Sequence, residues 1–254
     1  MPEPFLELPS RSTKPRKLGI THVLDKGLSL AQAEGLIEVA APYIDYVKLG
    51  WGTALVTGNL KAKLDLYRQA GIVPMLGGTL TELAIREGRL AQLCAWLEEL
   101  GIDHIEVSDG TISIGSERKQ ELIAQLSERF TVFSEVGSKD VNKIMAPYRW
   151  VAEITAELAA GAARVVTEAR ESGTAGIFRP SGEVRSGLID EIVHAIDPAK
   201  LIFEAPRREQ QVWFLLNIGR DCNLGNVPPE EVVSLETLRL GLRSETIAKE
   251  EGGR

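Results

Sequence analysis

The sequence predicts a single-domain (β/α)8 barrel, and three observations support this fold class. A short apolar run, a small polar cluster and a helical segment follow one another eight times. The chain has 254 residues, enough for one barrel, and the rhythm never breaks. The middle strands are mostly continuous apolar runs, which is typical of parallel strands buried on both faces. An open doubly wound sheet has the same periodicity and is the alternative, but eight units favour closure.

Eight strands and eight helical segments follow from this pattern. The predicted strands span 18–24, 43–49, 72–76, 104–107, 131–136, 164–168, 201–204 and 222–224. The predicted helices begin after Ser29, span 60–69, 82–100, 148–160 and 185–195, and begin near residues 116, 208 and 228. Ser29 is a plausible N-cap, Gly101 closes the long third helix and Pro228 suits a first helical turn. Gly88 marks a possible interruption of that third helix.

Three segments lie outside the regular repeat. Residues 1–16 are rich in proline, serine and basic residues, and we predict a surface arm before a barrel over 17–246. Residues 247–254 are polar and are predicted to form a flexible tail. The segment 172–183 contains three glycines and one proline, so we interpret it as a mobile lid.

Composition excludes several classes of protein. The net charge of −7 argues against a general nucleic-acid or membrane-surface binder. Cys94 and Cys222 are neither a disulfide framework nor spaced as metal ligands, which favours a reducing cytoplasm. No apolar run approaches the roughly 18 residues of a membrane span. We therefore expect a cytoplasmic protein without nucleic-acid or membrane partners.

Acidic residues recur at the predicted strand ends, where barrel enzymes carry their chemistry. Crowded carboxylates repel each other, and a hard divalent cation would relieve that repulsion. Mg²⁺ binds through one or two carboxylates, waters and substrate oxygens, so it suits this pattern. Asp109 follows the fourth strand, but the expected metal-binding set comprises Glu106, Glu135, Glu168 and Glu204. Only about two of these four are expected to contact the metal directly.

Basic residues and a glycine-rich segment also fall at strand ends. Lys139 and Lys48 are the candidate catalytic residues, and Lys139 is the preferred proton donor because its loop can reach the mouth. An arginine can hold a carboxylate or a phosphate with two parallel hydrogen bonds. Barrels often bind phosphate with the loops after strands 7 and 8. The candidate substrate-binding residues are Arg170, Arg207, Asn223, Gly225 and Asn226.

Eight motifs in order, over about residues 11–246, together resemble the phosphosulfolactate synthase family. They are Lys14-Pro15-Arg16 with Gly19-Ile20-Thr21, Asp45 to Thr53, Ile105 to Gly110, Ser134 to Gly137, Glu168 to Gly173, Ile202 to Pro206, Asn223 to Asn226, and Leu238 to Arg243. Each motif alone is a modest signal, whereas eight in register are a strong one.

The resemblance implies a Mg²⁺-dependent enzyme that adds sulfite to C3 of phosphoenolpyruvate and forms (2R)-phospho-3-sulfolactate. In this family the product leads to coenzyme M or to sulfolactate. We also expect a homo-oligomer. Two rival functions remain open. One is another phosphate-binding barrel lyase or aldolase, for which a strand lysine such as Lys48 would form a Schiff base. The other is a non-catalytic barrel protein like the plant heat-stress-associated proteins.

Overall fold

The computed structural model describes residues 5–138 and 145–247 and confirms the predicted barrel. Eight parallel strands follow one another in chain order, and the last strand pairs with the first. The open-sheet alternative is therefore wrong. The strands are β1 Thr21–Asp25, β2 Tyr46–Leu49, β3 Val73–Leu76, β4 His104–Val107, β5 Thr131–Val136, β6 Arg164–Thr167, β7 Leu201–Glu204 and β8 Leu224–Val227.

Helices surround the barrel and follow the predicted order. They are α1 Leu30–Ala40, α2 Thr53–Val56, α3 Leu60–Gln69, α4 Gly78–Arg86, α5 Leu90–Glu99, α6 Ser116–Ser127, α7 Pro147–Ala159, α8 Ser186–Ala195, α9 Arg208–Asn217, α10 Val232–Arg239 and α11 Ser244–Ile247. The predicted third helix is two helices, because Gly88 takes a left-handed φ of 66° between α4 and α5. Ser29 caps α1 as predicted and completes a capping box with Gln32. No helix in the described ranges is both long and apolar enough to span a bilayer.

Side chains accept from backbone amides at the N-terminal end of the barrel. The amide of Ile20 donates to Asn223 Oδ1 at 3.0 Å, and the amide of Thr21 donates to Asp45 Oδ2 at 3.0 Å. At this end β1, β2 and β8 begin later than predicted, and β8 begins at Leu224, two residues later.

The N-terminal arm is not a plain surface extension in its described part. Arg11 donates to Glu236 at 2.8 Å, and Lys14 Nζ donates to the carbonyls of Ala41 and Ile44, each at 2.9 Å. Arg16 is buried and contacts Asp45 Oδ1 at 3.1 Å. Residues 11–16 therefore fasten the arm to the N-terminal end of the barrel, because carbonyls and carboxylates there need donors.

The interior of the barrel holds an apolar layer beneath the mouth. Met75, Phe133, Val166 and Ile202 form this layer, and each is at most 1% exposed. Tyr46 packs against it, with its ring centroid 5.1 Å from that of Phe133. This layer supports the side chains that lie above it at the C-terminal ends of the strands.

The middle of the segment 172–183 packs on the barrel, and the interpretation of the segment as a mobile lid stays a prediction. Ala175, Ile177 and Phe178 are at most 3% exposed, and Phe178 lies edge-on to Phe214 at 6.3 Å between centroids. Burying a Phe and an Ile stabilises the packed segment by roughly 1.5–3 kcal/mol each, which offsets the conformational freedom of its glycines.

Candidate active site

A ring of charged side chains lies directly above the apolar layer because strand side chains alternate between the two faces. Lys48 follows Tyr46 by two residues, and Glu135 follows Phe133 in the same way. Glu168 and Glu204 follow Val166 and Ile202 at the same spacing. The ring lines a small cavity that is partly open to solvent. The polar and glycine residues around it are Lys48, Gly50, Gly77, Gly78, Thr79, Glu106, Glu135, Glu168, Arg170, Glu171, Glu204 and Asn226.

Lys48 forms the centre of a buried ion network. Its Nζ lies 2.9 Å from Glu106 Oε2 and 3.5 Å from Glu204 Oε1. Side-chain exposure is 5% for Lys48, 2% for Glu106 and 1% for Glu204. The network therefore joins β2, β4 and β7 across the barrel, and solvent screens it little.

Backbone amides hold the two carboxylates of this network on their other sides. The amide of Gly78, at the start of α4, donates to Glu106 Oε1 at 2.7 Å. The amide of Ala169 donates to Glu204 Oε2 at 2.9 Å. Gly78 is required for this approach, because a Cβ there would lie 2.7 Å from the Cβ of Ser108. All four oxygens of Glu106 and Glu204 therefore accept hydrogen bonds.

The network shifts the pKa values of its members. Burial alone would lower the pKa of Lys48, but Glu106, Glu204 and Glu135 outweigh it and the pKa is raised. Burial raises the pKa of Glu106, and Lys48 opposes the rise. Burial also raises the pKa of Glu204 from 4.5 to about 7, again against the effect of Lys48. Lys48 is therefore a fixed cation near neutral pH and a poor proton donor, whereas Glu204 titrates in that range.

Asn226 lies beside Glu204 at the end of β8. Its Nδ2 donates to Glu204 Oε1, and its backbone has a left-handed φ of 51°. Asn226 is 6% exposed, and its Oδ1 is buried without a hydrogen-bond partner among the described residues. Asparagine tolerates the left-handed region better than other residues with a Cβ. The amide oxygen of Asn226 is thus a free acceptor in the cavity wall.

The structure separates the predicted substrate-binding residues. Arg170 and Asn226 line the cavity, and Arg170 is exposed there with a φ of 56°. Arg207 is exposed and its guanidinium packs toward Gly182, outside the cavity lining. Gly225 lies within β8, where a Cβ would meet Ile202 at 2.8 Å. The expected contact of Arg207 and Gly225 with substrate gains no support from these positions.

Asn223 lies at the opposite end of the barrel, which corrects its predicted place at the mouth. Its Nδ2 donates to the carbonyl of Leu201 at 3.0 Å, and its Oδ1 accepts from Ile20. Both partners lie at the N-terminal ends of their strands. The predicted eighth strand ended at residue 224, whereas β8 spans Leu224–Val227. Gly225 and Asn226 are therefore strand residues and do not follow the strand.

The predicted catalytic and metal-binding residues are placed as follows. Glu106, Glu135, Glu168 and Glu204 all line the cavity together with Lys48. Lys139 lies outside the described residues, so its predicted role stays a prediction. His22 is fully buried in the barrel, and burial lowers its pKa well below 6.5. His22 is thus a core residue.

Two buried ion-pair clusters behind the mouth were missed by the sequence analysis. Lys119 of α6 donates to the carbonyl of Glu135 at 2.6 Å and contacts Glu157 at 2.8 Å. Asp25, at the end of β1, accepts from Tyr67 at 2.9 Å and pairs with Lys63. Charged residues on amphipathic helices usually face solvent, so no sequence signal distinguishes these lysines. They hold the backbone from which the site residues project.

The donor set of the cavity suits a hard cation with few protein ligands. Among the described residues, no three histidine, cysteine, aspartate or glutamate side chains are grouped as a metal site. The cavity nevertheless offers only oxygen ligands, from carboxylates and from the buried Oδ1 of Asn226. Mg²⁺ is commonly bound by one or two carboxylates with water and substrate oxygens. Mg²⁺ therefore fits the cavity, provided that other oxygens complete its ligand shell.

Sequence comparison connects this chain to one family over nearly its whole length. The family model for (2R)-phospho-3-sulfolactate synthase (ComA) matches residues 9–245. The phosphosulfolactate synthase of Methanothermobacter thermautotrophicus is 42% identical over 247 residues, which cover 95% of this chain and 96% of that protein. The phosphosulfolactate synthase of Bacillus subtilis is 41% identical over 244 residues, which cover 95% and 97%.

Comparison with solved structures supports the fold alone. The 3-hexulose-6-phosphate synthase of Salmonella typhimurium superposes with a TM-score of 0.54 at 15% identity and covers 84% of this chain and 89% of its own. A 3-keto-L-gulonate-6-phosphate decarboxylase from Vibrio cholerae superposes with a TM-score of 0.53 at 12% identity and covers 89% and 98%. At these identities the barrel is shared, and the chemistry must be argued from the cavity.

Proposed function

Because this chain belongs to the (2R)-phospho-3-sulfolactate synthase family, we propose that it adds sulfite to phosphoenolpyruvate in a Mg²⁺-dependent reaction. The observation that carries the proposal is the cavity at the C-terminal ends of the strands, where Lys48 is held between Glu106 and Glu204. The cavity combines fixed cationic, acidic and backbone-amide groups. Such a set can bind a small anion and stabilise charge that develops during reaction.

The charge of the cavity explains why a divalent cation is part of the proposal. Five carboxylates but only two cationic side chains line its described part. Phosphoenolpyruvate and sulfite are both anions, and each unit-charge pair at about 4 Å interacts by roughly 4 kcal/mol at an effective dielectric near 20. Glu135 and Glu168 are the proposed Mg²⁺ ligands, since Lys48 contacts Glu106 and Glu204 and would repel a second cation there. Bound there, Mg²⁺ would supply Lewis-acid stabilisation of the substrate carboxylate.

The residues of the chain have separate roles in the proposed reaction. Arg170 and Lys48 hold the anionic reactants together. The sulfur lone pair of sulfite attacks C3, and the alkene electron pair moves to C2 and into the carboxylate. A proton is then delivered to C2, for which Lys139 is the proposed donor. Lys48 instead stabilises the developing negative charge, because its raised pKa keeps it protonated.

The position of Lys48 gives no support to the aldolase alternative. A Schiff-base lysine must lose its proton to attack a carbonyl carbon, and burial without anionic partners would favour that loss. Lys48 instead contacts two carboxylates, and its pKa is raised. Borohydride should therefore trap no adduct at Lys48 with a candidate aldehyde or ketone.

A direct assay tests the proposed activity. The protein is incubated with phosphoenolpyruvate, sulfite and Mg²⁺, and the sulfonate product is sought by mass spectrometry. Reactions without sulfite, or with sulfate in its place, are the controls, because sulfate lacks the nucleophilic lone pair on sulfur. The proposal is rejected if phosphoenolpyruvate is left unchanged in the complete mixture by a folded protein.

Removal of divalent metal is expected to abolish activity. EDTA should reduce turnover to background, and Mg²⁺ or Mn²⁺ should restore it, because the cavity offers oxygen ligands only. Zn²⁺ should restore it poorly, since no histidine or cysteine lines the described cavity. Progress curves after metal removal and re-addition measure the effect. Full turnover in metal-free buffer would contradict the Lewis-acid role.

Loss of the Arg170 side chain is expected to weaken substrate capture. Arg170→Ala should raise the KM for phosphoenolpyruvate roughly 10- to 100-fold, because a charge-assisted hydrogen bond contributes about 1.5–3 kcal/mol. Arg179→Ala is the matched control, since Arg179 lies in the following loop and pairs with Glu183 at the surface. An unchanged kcat/KM for Arg170→Ala would mean that its guanidinium faces solvent during turnover.

A further inference from the structure

We infer that the side-chain oxygen Oδ1 of Asn226 is a ligand of the divalent cation in this cavity. The inference rests on the proposed function and assigns to Asn226 a role different from the substrate contact that its sequence position suggests. It starts from a buried acceptor: Asn226 is 6% exposed and lines the cavity, and its Oδ1 has no hydrogen-bond donor in the described chain. An unsatisfied buried acceptor is unfavourable, so a bound species should supply its partner.

The orientation of the Asn226 amide follows from its neighbour. The group that faces Glu204 Oε1 is the Nδ2 donor, which leaves Oδ1 on the other side of the amide. The main chain adds a second constraint, because the amide of Asn226 points toward His22 Nδ1 at 3.5 Å. Oδ1 is thus buried on the side of the amide away from Glu204 Oε1.

The chemistry of the reactants decides what the oxygen can bind. Ionised phosphoenolpyruvate and sulfite present only acceptor oxygens, and an amide oxygen cannot donate to them. A divalent cation accepts electron pairs from carbonyl-type oxygens, and Mg²⁺ takes such ligands. A cation would satisfy Oδ1 and would also lower the negative charge of the cavity.

The carboxylates of the cavity do not complete a cation site by themselves. Lys48 contacts Glu106 and Glu204, and a cation placed on those oxygens would be repelled by the ammonium group. Because no three acidic, histidine or cysteine side chains are grouped within the described ranges, carboxylates alone do not complete a site. Asn226 supplies an additional oxygen beside Glu204, whose Oε1 accepts from both Asn226 Nδ2 and Lys48.

Metal binding by the substrate-free protein tests the inference. Free Mn²⁺ is measured by electron paramagnetic resonance during titration of the metal-depleted protein, and Mg²⁺ competes. Asn226→Gly removes the amide and suits the left-handed backbone at φ 51°, so strain is not introduced. We expect this variant to bind Mn²⁺ at least about tenfold more weakly than the unaltered protein. Asn226→Asp retains an oxygen at this position and should bind the metal at least as tightly as the unaltered protein.

Two outcomes would overturn the inference. Equal Mn²⁺ affinity of Asn226→Gly and the unaltered protein would show that Oδ1 is not a ligand. Equal weakening in Asn226→Asp and Asn226→Gly would show the same, because the retained oxygen then contributes nothing. Thermal denaturation confirms that both variants are folded. The mass-spectrometric assay tests the proposed function separately from the metal site. The unaltered protein can fail to form the sulfonate and still bind Mn²⁺ more tightly than Asn226→Gly does.

Discussion

Lys48→Met is expected to destabilise the protein by about 3–5 kcal/mol and to reduce turnover at least about 10²-fold. Lys48 lies between Glu106 and Glu204, and all three side chains are at least 95% buried. Removing the ammonium leaves two carboxylates buried without their cation, which is strongly destabilising. Turnover should fall because the fixed positive charge in the cavity is lost. Chemical denaturation and steady-state kinetics measure the two effects.

The effect of Lys48→Met on stability should depend on pH. The pKa of Glu204 is raised from 4.5 to about 7 in the folded protein, so the folded state retains a proton that the unfolded state loses. This contribution to the free energy of unfolding is fully present below pH 4.5 and is lost as the pH rises through 7. Without Lys48, the pKa values of Glu106 and Glu204 rise further. The variant should therefore be destabilised more at pH 8 than at pH 5.

Two further variants distinguish this explanation from simple loss of packing. Lys48→Met combined with Glu106→Gln should recover part of the lost stability at pH 8, because one uncompensated carboxylate is removed. Lys61→Met changes an exposed lysine on α3 and should leave stability within about 0.5 kcal/mol. A loss that is independent of pH and unchanged in the double variant would contradict the electrostatic explanation.

Lys139→Ala is expected to lower kcat by roughly 10²–10⁴-fold, the usual contribution of one general acid. Lys139 follows the end of β5 in the sequence and lies outside the described ranges. Lys48 is held protonated by its carboxylate partners, and His22 is buried with a lowered pKa. Neither of these groups suits proton delivery to C2 near neutral pH.

Lys139→Arg separates proton transfer from charge. A guanidinium binds anions but scarcely releases a proton, so this variant should not restore turnover. Substrate binding should survive better than kcat in both variants, which steady-state kinetics measures as a small change in KM. Lys61→Ala is the control for loss of a lysine elsewhere. Restored turnover in Lys139→Arg would assign Lys139 to anion binding and require another proton donor.

Local patterns were sufficient for much of the fold and part of the site. The predicted limits of β4, β5 and β7 match the observed ones. The period of two then places Glu135 and Glu204 on the same face as the core residues Phe133 and Ile202. Four predicted metal-binding glutamates accordingly line one cavity.

Other assignments required contacts that no local pattern contains. Asn223 was predicted at the mouth, yet its amide replaces backbone partners at the opposite end of the barrel. The arm residues Arg11, Lys14 and Arg16 resemble any basic surface segment until their carbonyl and carboxylate partners are known. Each partner is distant along the chain, and only closure of the barrel brings it near.

The sequence by itself determined the repeat of eight strands, the inward direction of the strand-end glutamates and the family, because these depend on short-range periodicity and on motifs in order. Only the tertiary structure decided which charges meet. It paired Lys48 with Glu106 and Glu204, raised the pKa of Lys48 and left the oxygen of Asn226 without a donor in the described cavity. Electrostatic and hydrogen-bonding energies depend on distances between separate strands, and those distances are set when the barrel closes.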